Sequence, residues 1–306
     1  MRVCIAIPTF RREPYLRALL AKLAGLTPPS VACTIAVVIV DNDPRAGARA
    51  IVAAAQPTFP LALDYRLVAE PGLSTVRNVV LDYARHNADV LVMLDDDELP
   101  EPQWLNELLR IAEETGADAV VGPVPAILPE RAPRWIRDAR DRELPRFEDG
   151  ALVADGWCGN CLIRVPSILA AGLTFDPSLN FAGGEDQLFF RKLLAHGGTI
   201  AYAKYATAWE IFPPARQSLG FLLKRSFRRG NSLAVCDLRL QKNSRGLALR
   251  ALKGIAIVAL GLLGLVPLTL VRGVTAAVGT SSEIARGAGM LAGLIGVSYQ
   301  AYRRGV

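Results

Sequence analysis

Residues 90–98 read VLVMLDDDE, five apolar residues followed directly by four acidic ones. An apolar run of this length, rich in valine and leucine, is typical of a strand that is buried on both faces of a sheet. The acidic residues then follow the carboxyl end of the strand, which is the edge where open α/β sheets bind their ligands. The same stretch therefore predicts both a central strand and a candidate site.

Three similar apolar runs precede this one, and each run is followed by a segment with helical periodicity. The predicted strands cover residues 3–7, 34–40, 61–68 and 90–94, and the predicted helices cover residues 14–26, 46–55, 74–86 and 102–114. This alternation predicts a mostly parallel sheet with helices on both faces, which is a three-layer α/β/α domain. The segments expected at the ligand edge are residues 8–10, 41–43, 69–72 and 95–98.

The second half of the chain carries weaker signals. Residues 129–150 are rich in proline and arginine and predict a surface excursion. Regular patterning resumes at residues 151–165, a helix is predicted to begin near Glu185, and another lies within residues 216–240. The α/β domain is therefore expected to cover residues 1–240.

Charge is distributed unevenly along the 306 residues, whose net charge is +6. Residues 216–250 contain nine lysines or arginines against one aspartate, and residues 251–306 contain five against one glutamate, so the first 215 residues are net acidic. A nucleic-acid-binding protein needs a basic face on its main domain, so we expect no nucleic-acid partner. Five scattered cysteines do not suggest a disulfide framework, and the N-terminus lacks a signal-peptide pattern. The domain is therefore expected in the cytoplasm.

Asp95, Asp96 and Asp97 form the strongest chemical signal. Crowding carboxylates at a buried strand end is costly unless a cation is their partner. Carboxylate oxygens suit Mg²⁺ or Mn²⁺, with phosphate oxygens and water completing the coordination. The other interpretation is a solvated acidic turn that caps the following helix. Neither a Gly-x-x-x-x-Gly-Lys-Ser/Thr loop nor a Gly-x-Gly-x-x-Gly motif follows the first strand, so P-loop kinases and dinucleotide dehydrogenases fit poorly.

The second signal is the sequence Gly183-Gly184-Glu185-Asp186. Glycines permit a close approach of the backbone, and the two carboxylates lie at a predicted helix start. An ordinary helix start with acidic residues in its first turn is the simpler interpretation. Together with the aspartate cluster, however, the pair offers a candidate general base that is separate from the metal site.

These motifs resemble those of the family 2 glycosyltransferases, in the same order and at similar spacing. The resemblance covers about residues 1–230 and rests on residues 8–10, 38–43, 72–78, 95–97 and 183–186. The later residues 159–162 and 210–216 resemble the branch that includes succinoglycan-type glucosyltransferases. The resemblance implies a GT-A-like nucleotide-sugar-binding domain and inversion at the anomeric carbon.

The resemblance also implies roles for individual residues on the donor side. Thr9 and Asp41 occupy positions that hold the nucleotide base, Pro8 belongs to the nucleotide-sugar-binding site, and Arg77 lies near the base or the diphosphate. Asp95 and Asp96 occupy positions near the ribose.

For the chemistry, the resemblance assigns the Asp-x-Asp metal ligands to Asp97 and Asp95. The family often has a small residue between these two aspartates, whereas Asp96 stands there in this chain. Asp186 matches the catalytic base, and Glu185 lies beside it in the acceptor region.

The implied function is transfer of a sugar from a nucleotide-sugar donor to a hydroxyl of a sugar or lipid-linked sugar acceptor, in polysaccharide or glycolipid assembly. Two other functions stay open. One is a thiol–disulfide oxidoreductase that uses Cys158 and Cys161, although these cysteines precede a predicted strand rather than opening a helix. The other is a non-catalytic, membrane-tethered nucleotide-sugar binder.

Residues 241–306 predict a basic, hydrophobic tail that forms a helical hairpin. Residues 254–271 and 287–301 are uncharged, and the first is just long enough to cross a bilayer. Flanking basic residues place the domain on the cytoplasmic face of the inner or plasma membrane, with contact through residues 251–302. Pro267 and the shorter second stretch favour a re-entrant or interfacial hairpin. A soluble helical pair folded onto the domain is the alternative.

Overall fold

The structure is a computed structural model that describes residues 1–240 and 243–300. The strands are β1 (Arg2–Thr9), β2 (Thr34–Asp41), β3 (Ala62–Leu67), β4 (Val90–Leu94), β5 (Glu98–Pro100), β6 (Ala119–Val121), β7 (Ala126–Ile127), β8 (Asn160–Arg164), β9 (Ile200–Tyr202) and β10 (Ala208–Ile211). The helices are α1 (Glu13–Ala24), α2 (Arg49–Ala55), α3 (Leu73–Asn87), α4 (Trp104–Thr115), α5 (Arg134–Glu143), α6 (Val165–Ala170), α7 (Glu185–Ala195), α8 (Leu219–Arg239) and α9 (Ser244–Leu294).

The main sheet has the strand order β3-β2-β1-β4-β8-β6-β9. The four predicted strands β1 to β4 are parallel to one another, whereas β8 runs antiparallel to both of its neighbours. The predicted mostly parallel sheet is therefore confirmed. Its register pairs Thr9 with Asp41, so the ends of β1 and β2 lie side by side at the ligand edge.

Helices cover both faces of this sheet, as the alternating pattern predicts. In β1, Val3, Ile5 and Ile7 face one core, where α1, α2 and α4 pack. Cys4 and Ala6 face the other core, which is formed with α3, α6 and α7. The three-layer arrangement is confirmed, and its buried strands explain the continuous apolar runs in the sequence.

Residues 129–150, predicted as a surface excursion, contain the helix α5, which the sequence pattern does not indicate. Ile136 and Arg140 are its buried residues, so the helix has almost no apolar stripe. Ion pairs hold helix α5 in place instead. Hydrophobic periodicity in the sequence does not reveal ion pairs.

The chain divides into two compact units, each formed by separate segments. The first unit consists of residues 1–125, 145–180 and 189–211, and the second of residues 126–144, 181–188 and 212–306. The first unit contains the main sheet. The second contains α5, α8, α9 and the start of α7.

The predicted helical hairpin is present in the second unit. Helix α9 is interrupted at Gly273, where φ is 71° and ψ is −163°, so two arms of residues 244–272 and 274–294 result. The arms run antiparallel, because a Cβ on Gly254 would lie 3.3 Å from the carbonyl oxygen of Gly287, and a Cβ on Gly261 would collide with the Ile284 side chain. By length and composition α9 could cross a membrane, and 6% of its most apolar window is buried.

Candidate active site

The first unit brings the ends of β1 and β4 together through a side-chain hydrogen bond. Thr9 Oγ1 donates to Asp96 Oδ2 at 2.8 Å, and both side chains are buried. Pro8 precedes Thr9 in the last residues of β1, in register with Val40 of β2. Pro8, Thr9 and Asp96 therefore meet at one edge of the sheet, as the strand pattern predicts.

Arg12 supplies a cation to this edge that the sequence analysis missed. Its Nη1 lies 2.7 Å from Asp96 Oδ1 and 2.9 Å from Asp97 Oδ2. Burial raises the pKa of Asp96 to about 6; Arg12 opposes this rise and Asp97 adds to it. Part of the charge expected to need a metal ion is therefore balanced by the chain itself.

Asp95 is the accessible member of the acidic cluster. Its side chain is 40% exposed, and its Oδ1 lies 3.6 Å from Arg77 Nη2. Arg77 is buried on α3, with its Cζ 5.7 Å from the centroid of the Phe175 ring. The predicted residues Arg77 and Asp95 therefore lie together, with the carboxylate open to a ligand.

Glu98 is the last residue of the acidic run, and its side chain is buried. Burial, followed by the charges of Asp95, Asp97 and Glu210, raises the pKa of Glu98 well above its ordinary value. Burial and these neighbouring charges therefore favour the protonated form of the carboxyl group. A Cβ on Gly159 would collide with Glu98 Oε1, so the glycine lets this buried acid lie directly against the backbone of residue 159.

Asp41 is the last residue of β2, and both oxygens of its carboxylate accept hydrogen bonds. Oδ1 accepts a hydrogen bond from the backbone of Asp43 at 2.9 Å. Oδ2 accepts from the backbone of Ala48 at 3.0 Å and from the Tyr65 hydroxyl at 2.9 Å. These bonds fix the turn after β2. The predicted role of Asp41 in holding the nucleotide base stays a prediction.

Asp186 and Glu185 belong to the second unit, where they begin α7. Gly183 and Gly184 precede them with φ of 83° and 88°, a conformation that favours glycine. A Cβ on Gly184 would lie 2.7 Å from Cβ of Ser232, so Gly184 makes a close approach that glycine permits. Glu185 is 3% exposed, whereas Asp186 is half-buried, so Asp186 is the more accessible carboxylate.

Asp95 and Asp97 have the donor chemistry for a divalent ion. Among residues 1–240 and 243–300, no group of three histidine, cysteine or acidic side chains is arranged to hold a metal by itself. Mg²⁺ usually binds through one or two carboxylates plus substrate phosphates and water, so two aspartates are enough when a diphosphate is present. The residues therefore fit an ion that binds together with a nucleotide.

The two cysteines within residues 157–161 are buried in the core. Cys158 is 1% exposed and Cys161 is fully buried in β8. Asn160 between them accepts a hydrogen bond from Trp104 Nε1 at 2.7 Å and donates to the carbonyl of Ala206 at 2.7 Å. A redox pair needs an accessible thiolate, so this burial disfavours the oxidoreductase interpretation.

Comparison of the sequence with known proteins gives two matches. The profile described as Glycosyl transferase family 2 matches residues 4–169. The chain is also 37% identical over 233 residues to the succinoglycan biosynthesis protein ExoM of Rhizobium meliloti (strain 1021). That alignment covers 76% of this chain and 74% of ExoM.

Solved structures with a similar fold include two glycosyltransferase systems. The mannosyltransferase PcManGT from Pyrobaculum calidifontis, in complex with GDP-Man and Mn²⁺, has a TM-score of 0.65 at 17% identity; the match covers 95% of this chain and 86% of that one. TarS 1–349 of S. aureus, in complex with UDP-GlcNAc, has a TM-score of 0.52 at 15% identity, covering 94% and 92%. This chain spans 44% of the longer TarS structure. At these identities the likeness shows the fold, which is GT-A-like as the sequence predicts.

Proposed function

Because this chain belongs to glycosyl transferase family 2, we propose that it is an inverting, metal-dependent glycosyltransferase that acts at a membrane. The observation that carries the proposal is the meeting of Thr9, Arg12 and the Asp95–Asp97 cluster at one sheet edge. The similarity to ExoM, a succinoglycan biosynthesis protein, supports polysaccharide synthesis as the process.

The proposed donor is a nucleoside diphosphate sugar bound across this edge. Thr9, Pro8 and Asp41 lie at the ends of adjacent strands, where the base would bind. Asp95 and Asp96 would contact the ribose. Arg77, beside the accessible Asp95, is suited to the base or the diphosphate because guanidinium groups bind phosphate oxygens well.

Asp97 and Asp95 would hold Mg²⁺ or Mn²⁺, which when bound neutralises the negative charge that develops on the departing diphosphate. Arg12 and Arg77 then supply fixed positive charge around the same carboxylates. Such preorganised charge stabilises the leaving group without a proton transfer.

Asp186 is the proposed general base, because its side chain is more accessible than that of Glu185. It would accept the proton of the acceptor hydroxyl as the hydroxyl oxygen bonds to the anomeric carbon and the bond to the diphosphate breaks. This single displacement inverts the anomeric configuration and needs no covalent enzyme intermediate.

The proposed acceptor is a sugar or lipid-linked sugar at the cytoplasmic face of the inner or plasma membrane. The long apolar helix α9 supports membrane association. The proposed catalytic region is residues 1–240, and the proposed membrane-associated tail is residues 241–306, which contain the long apolar helix α9.

The test is turnover with a panel of UDP-, GDP- and dTDP-sugars, with and without EDTA, and with the product's anomeric configuration read by NMR. One donor should give metal-dependent transfer with inversion. Asp97→Asn should abolish both transfer and metal-dependent donor binding while the melting temperature is kept. Full turnover of this variant, or turnover that resists EDTA, would contradict the metal assignment.

The same assay separates the other functions. Replacing Cys158 and Cys161 by serine should leave transfer intact if the burial of these residues is only structural. Loss of a thiol–disulfide exchange activity in that variant would favour the oxidoreductase. Donor binding without any turnover would favour the non-catalytic binder.

A further inference from the structure

The two arms of the α9 hairpin differ in what surrounds them. The first arm, residues 244–272, carries large apolar side chains that are exposed, and Leu263 and Leu270 reach 76% and 81%. Such side chains recur at intervals of one to five residues along the arm, and the exposed apolar face that they form is called the apolar stripe. The apolar stripe consists of Leu249, Leu252, Ile255, Leu260, Leu262, Leu263, Val266, Leu268, Leu270 and Val271. A continuous exposed apolar stripe of this kind marks a surface that binds something.

The second arm, residues 274–294, packs against α8 through glycines. A Cβ on Gly289 would collide with the carbonyl oxygen of Phe227, and a Cβ on Gly293 would lie 2.7 Å from Cβ of Ala234. Small residues at such positions allow two helix backbones to approach closely. The second arm is therefore part of the folded second unit rather than a free helix.

The second arm also contacts α5 close to the hairpin turn. A Cβ on Gly279 would lie 3.3 Å from Arg142 Nη2. Arg142 is exposed, and Arg134 at the start of α5 has a side chain that is 89% exposed. The helix is strongly charged along its length, so it requires water or lipid headgroups around it.

This contact limits how deeply the hairpin can enter a bilayer. Gly279 is six residues beyond Gly273 at the turn, which at 1.5 Å per residue is about 9 Å of helix. The hydrocarbon core of a bilayer is about 30 Å thick. A hairpin that crossed it would bring Arg142 and the rest of α5 into hydrocarbon, at high cost for each charge.

We propose that the hairpin binds one leaflet, with its first arm lying along the bilayer surface and its apolar stripe in the acyl-chain region. The second arm, α5 and α8 then stay on the aqueous side. Exposed Arg245, Lys253 and Arg272 lie near the two ends of the stripe, so the surface bound should contain anionic lipid. This inference rests on the membrane association proposed above and specifies its geometry.

The experiment measures the depth of a fluorescent label along the first arm in the full-length protein. Cys33, which is partly exposed, is replaced by serine, and a label is attached to Leu252→Cys, Leu263→Cys or Val271→Cys. The protein is bound to mixed phosphatidylcholine–phosphatidylglycerol vesicles, and quenching by nitroxide lipids gives the depth. We expect the same shallow depth at all three sites, about 5–10 Å below the headgroups.

A spanning hairpin would give a different profile. The label at Leu263→Cys would lie near the midplane, and the label at Val271→Cys would be protected from a membrane-impermeant reductant added outside. That result would overturn the inference and keep the membrane association. Absence of vesicle binding at every site would overturn both, whereas the glycosyl transfer assay would still decide the enzymatic part of the proposed function.

A matched pair of variants tests the stripe itself. Leu263→Asp should weaken partitioning to the mixed vesicles by about tenfold or more, since one fully buried leucine contributes roughly that factor. Leu169→Asp introduces the same change at a leucine that is 55% exposed on α6, outside the hairpin, and should leave partitioning unchanged. Equal loss in both variants would overturn the assignment of this face.

Discussion

Asp186 and Glu185 are adjacent in sequence, yet Asp186 is half-buried and Glu185 is 3% exposed. Because Asp186 is the more accessible of the two, we expect it rather than Glu185 to reach an acceptor hydroxyl. We expect Asp186→Asn to keep donor affinity and to lose about 10²- to 10⁴-fold in kcat, because that is the usual contribution of a general base. Steady-state kinetics and donor titration of the same preparation check this.

Glu185→Gln is the matched control, since it makes the same carboxylate-to-amide change one residue away. It should reduce kcat less than Asp186→Asn does. A larger loss in Glu185→Gln would exchange the roles of the two residues.

Arg12 pairs with the carboxylates of Asp96 and Asp97, so we expect it to compete with a metal ion for them in the nucleotide-free protein. We expect Arg12→Gln to bind Mn²⁺ about tenfold more tightly without donor, a gain of about 1.4 kcal/mol. Electron paramagnetic resonance of free Mn²⁺ measures this affinity directly. Arg11→Gln, which removes the same charge from a residue paired with Asp43 at 3.4 Å, should change it little.

Weaker Mn²⁺ binding by Arg12→Gln would mean that Arg12 orients the carboxylates for the ion rather than competing with it. Both outcomes are visible without any turnover, so they do not depend on which donor the enzyme uses.

At the residue scale, the sequence predicts the acidic site and not its counter-charge. Asp95, Asp96 and Asp97 follow a buried strand directly, so their position follows from the strand. Arg12 lies in a turn whose conformation has no strong local signal, and its contact with Asp96 depends on the pairing of β1 with β4. The engagement of Asp41 by the Tyr65 hydroxyl likewise needs the register of β2 and β3.

Helix α5 is held to α8 by a cluster around Glu143. Its carboxylate bonds to Arg140, and it lies 3.3 Å from Arg225 Nε and 3.1 Å from Arg229 Nη1. Removing one member of a buried charge cluster leaves the others uncompensated. We expect Glu143→Gln to lower the free energy of unfolding by roughly 3 kcal/mol, measured by urea denaturation at neutral pH.

The control is Glu148→Gln, because the Glu148 side chain is 91% exposed and pairs with Lys204 at 3.6 Å; its loss should cost at most about 0.5 kcal/mol. Burial alone would raise the pKa of Glu143, but Arg225, Arg140 and Arg229 lower it overall. A lowered pKa stabilises the fold above the ordinary glutamate value of about 4.3, and this contribution is lost as the pH falls through the folded-state pKa. The difference between Glu143→Gln and wild type should therefore be constant near neutrality and shrink below about pH 4.

At the element scale, the sequence predicts best the elements whose residues are all buried. Strand β4 has the predicted bounds, residues 90–94, because its five apolar residues are all buried. The antiparallel direction of β8 depends on how the chain returns to β4, which composition does not encode. The uncharged stretches of α9 predict the hairpin, but its packing on α8 uses glycines such as Gly289, whose contacts are made by the backbone.

For the whole molecule, the apolar stripe predicts behaviour in cell fractionation. The full-length protein should pellet with membranes without detergent and should stay there in high salt, because burial of apolar side chains resists screening whereas ionic attachment does not. Immunoblotting of salt-washed membranes checks this. A protein that remains monomeric in the soluble fraction would contradict it.

Truncation is a less suitable test than point changes on the stripe. Asn231 of α8 is 3% exposed, its Nδ2 donates to the carbonyl of Val297 at 2.7 Å, and its Oδ1 accepts from the backbone of Tyr299 at 3.0 Å. A chain that ends before α9 would lose these bonds and expose Ala234, which is fully buried. Leu263→Asp changes the outer face and keeps this packing.

The interleaving of segments in the second unit has a consequence for biosynthesis. Glu143 leaves the ribosome about 80 residues ahead of Arg225 and Arg229, a delay of about 4–16 s at 5–20 residues per second. Throughout that delay α5 has no partner helix, and residues 181–188, which include Asp186, must likewise wait for α8. Every segment of the first unit ends at or before residue 211, so the strands that carry the predicted donor-side residues are translated before α8 and α9.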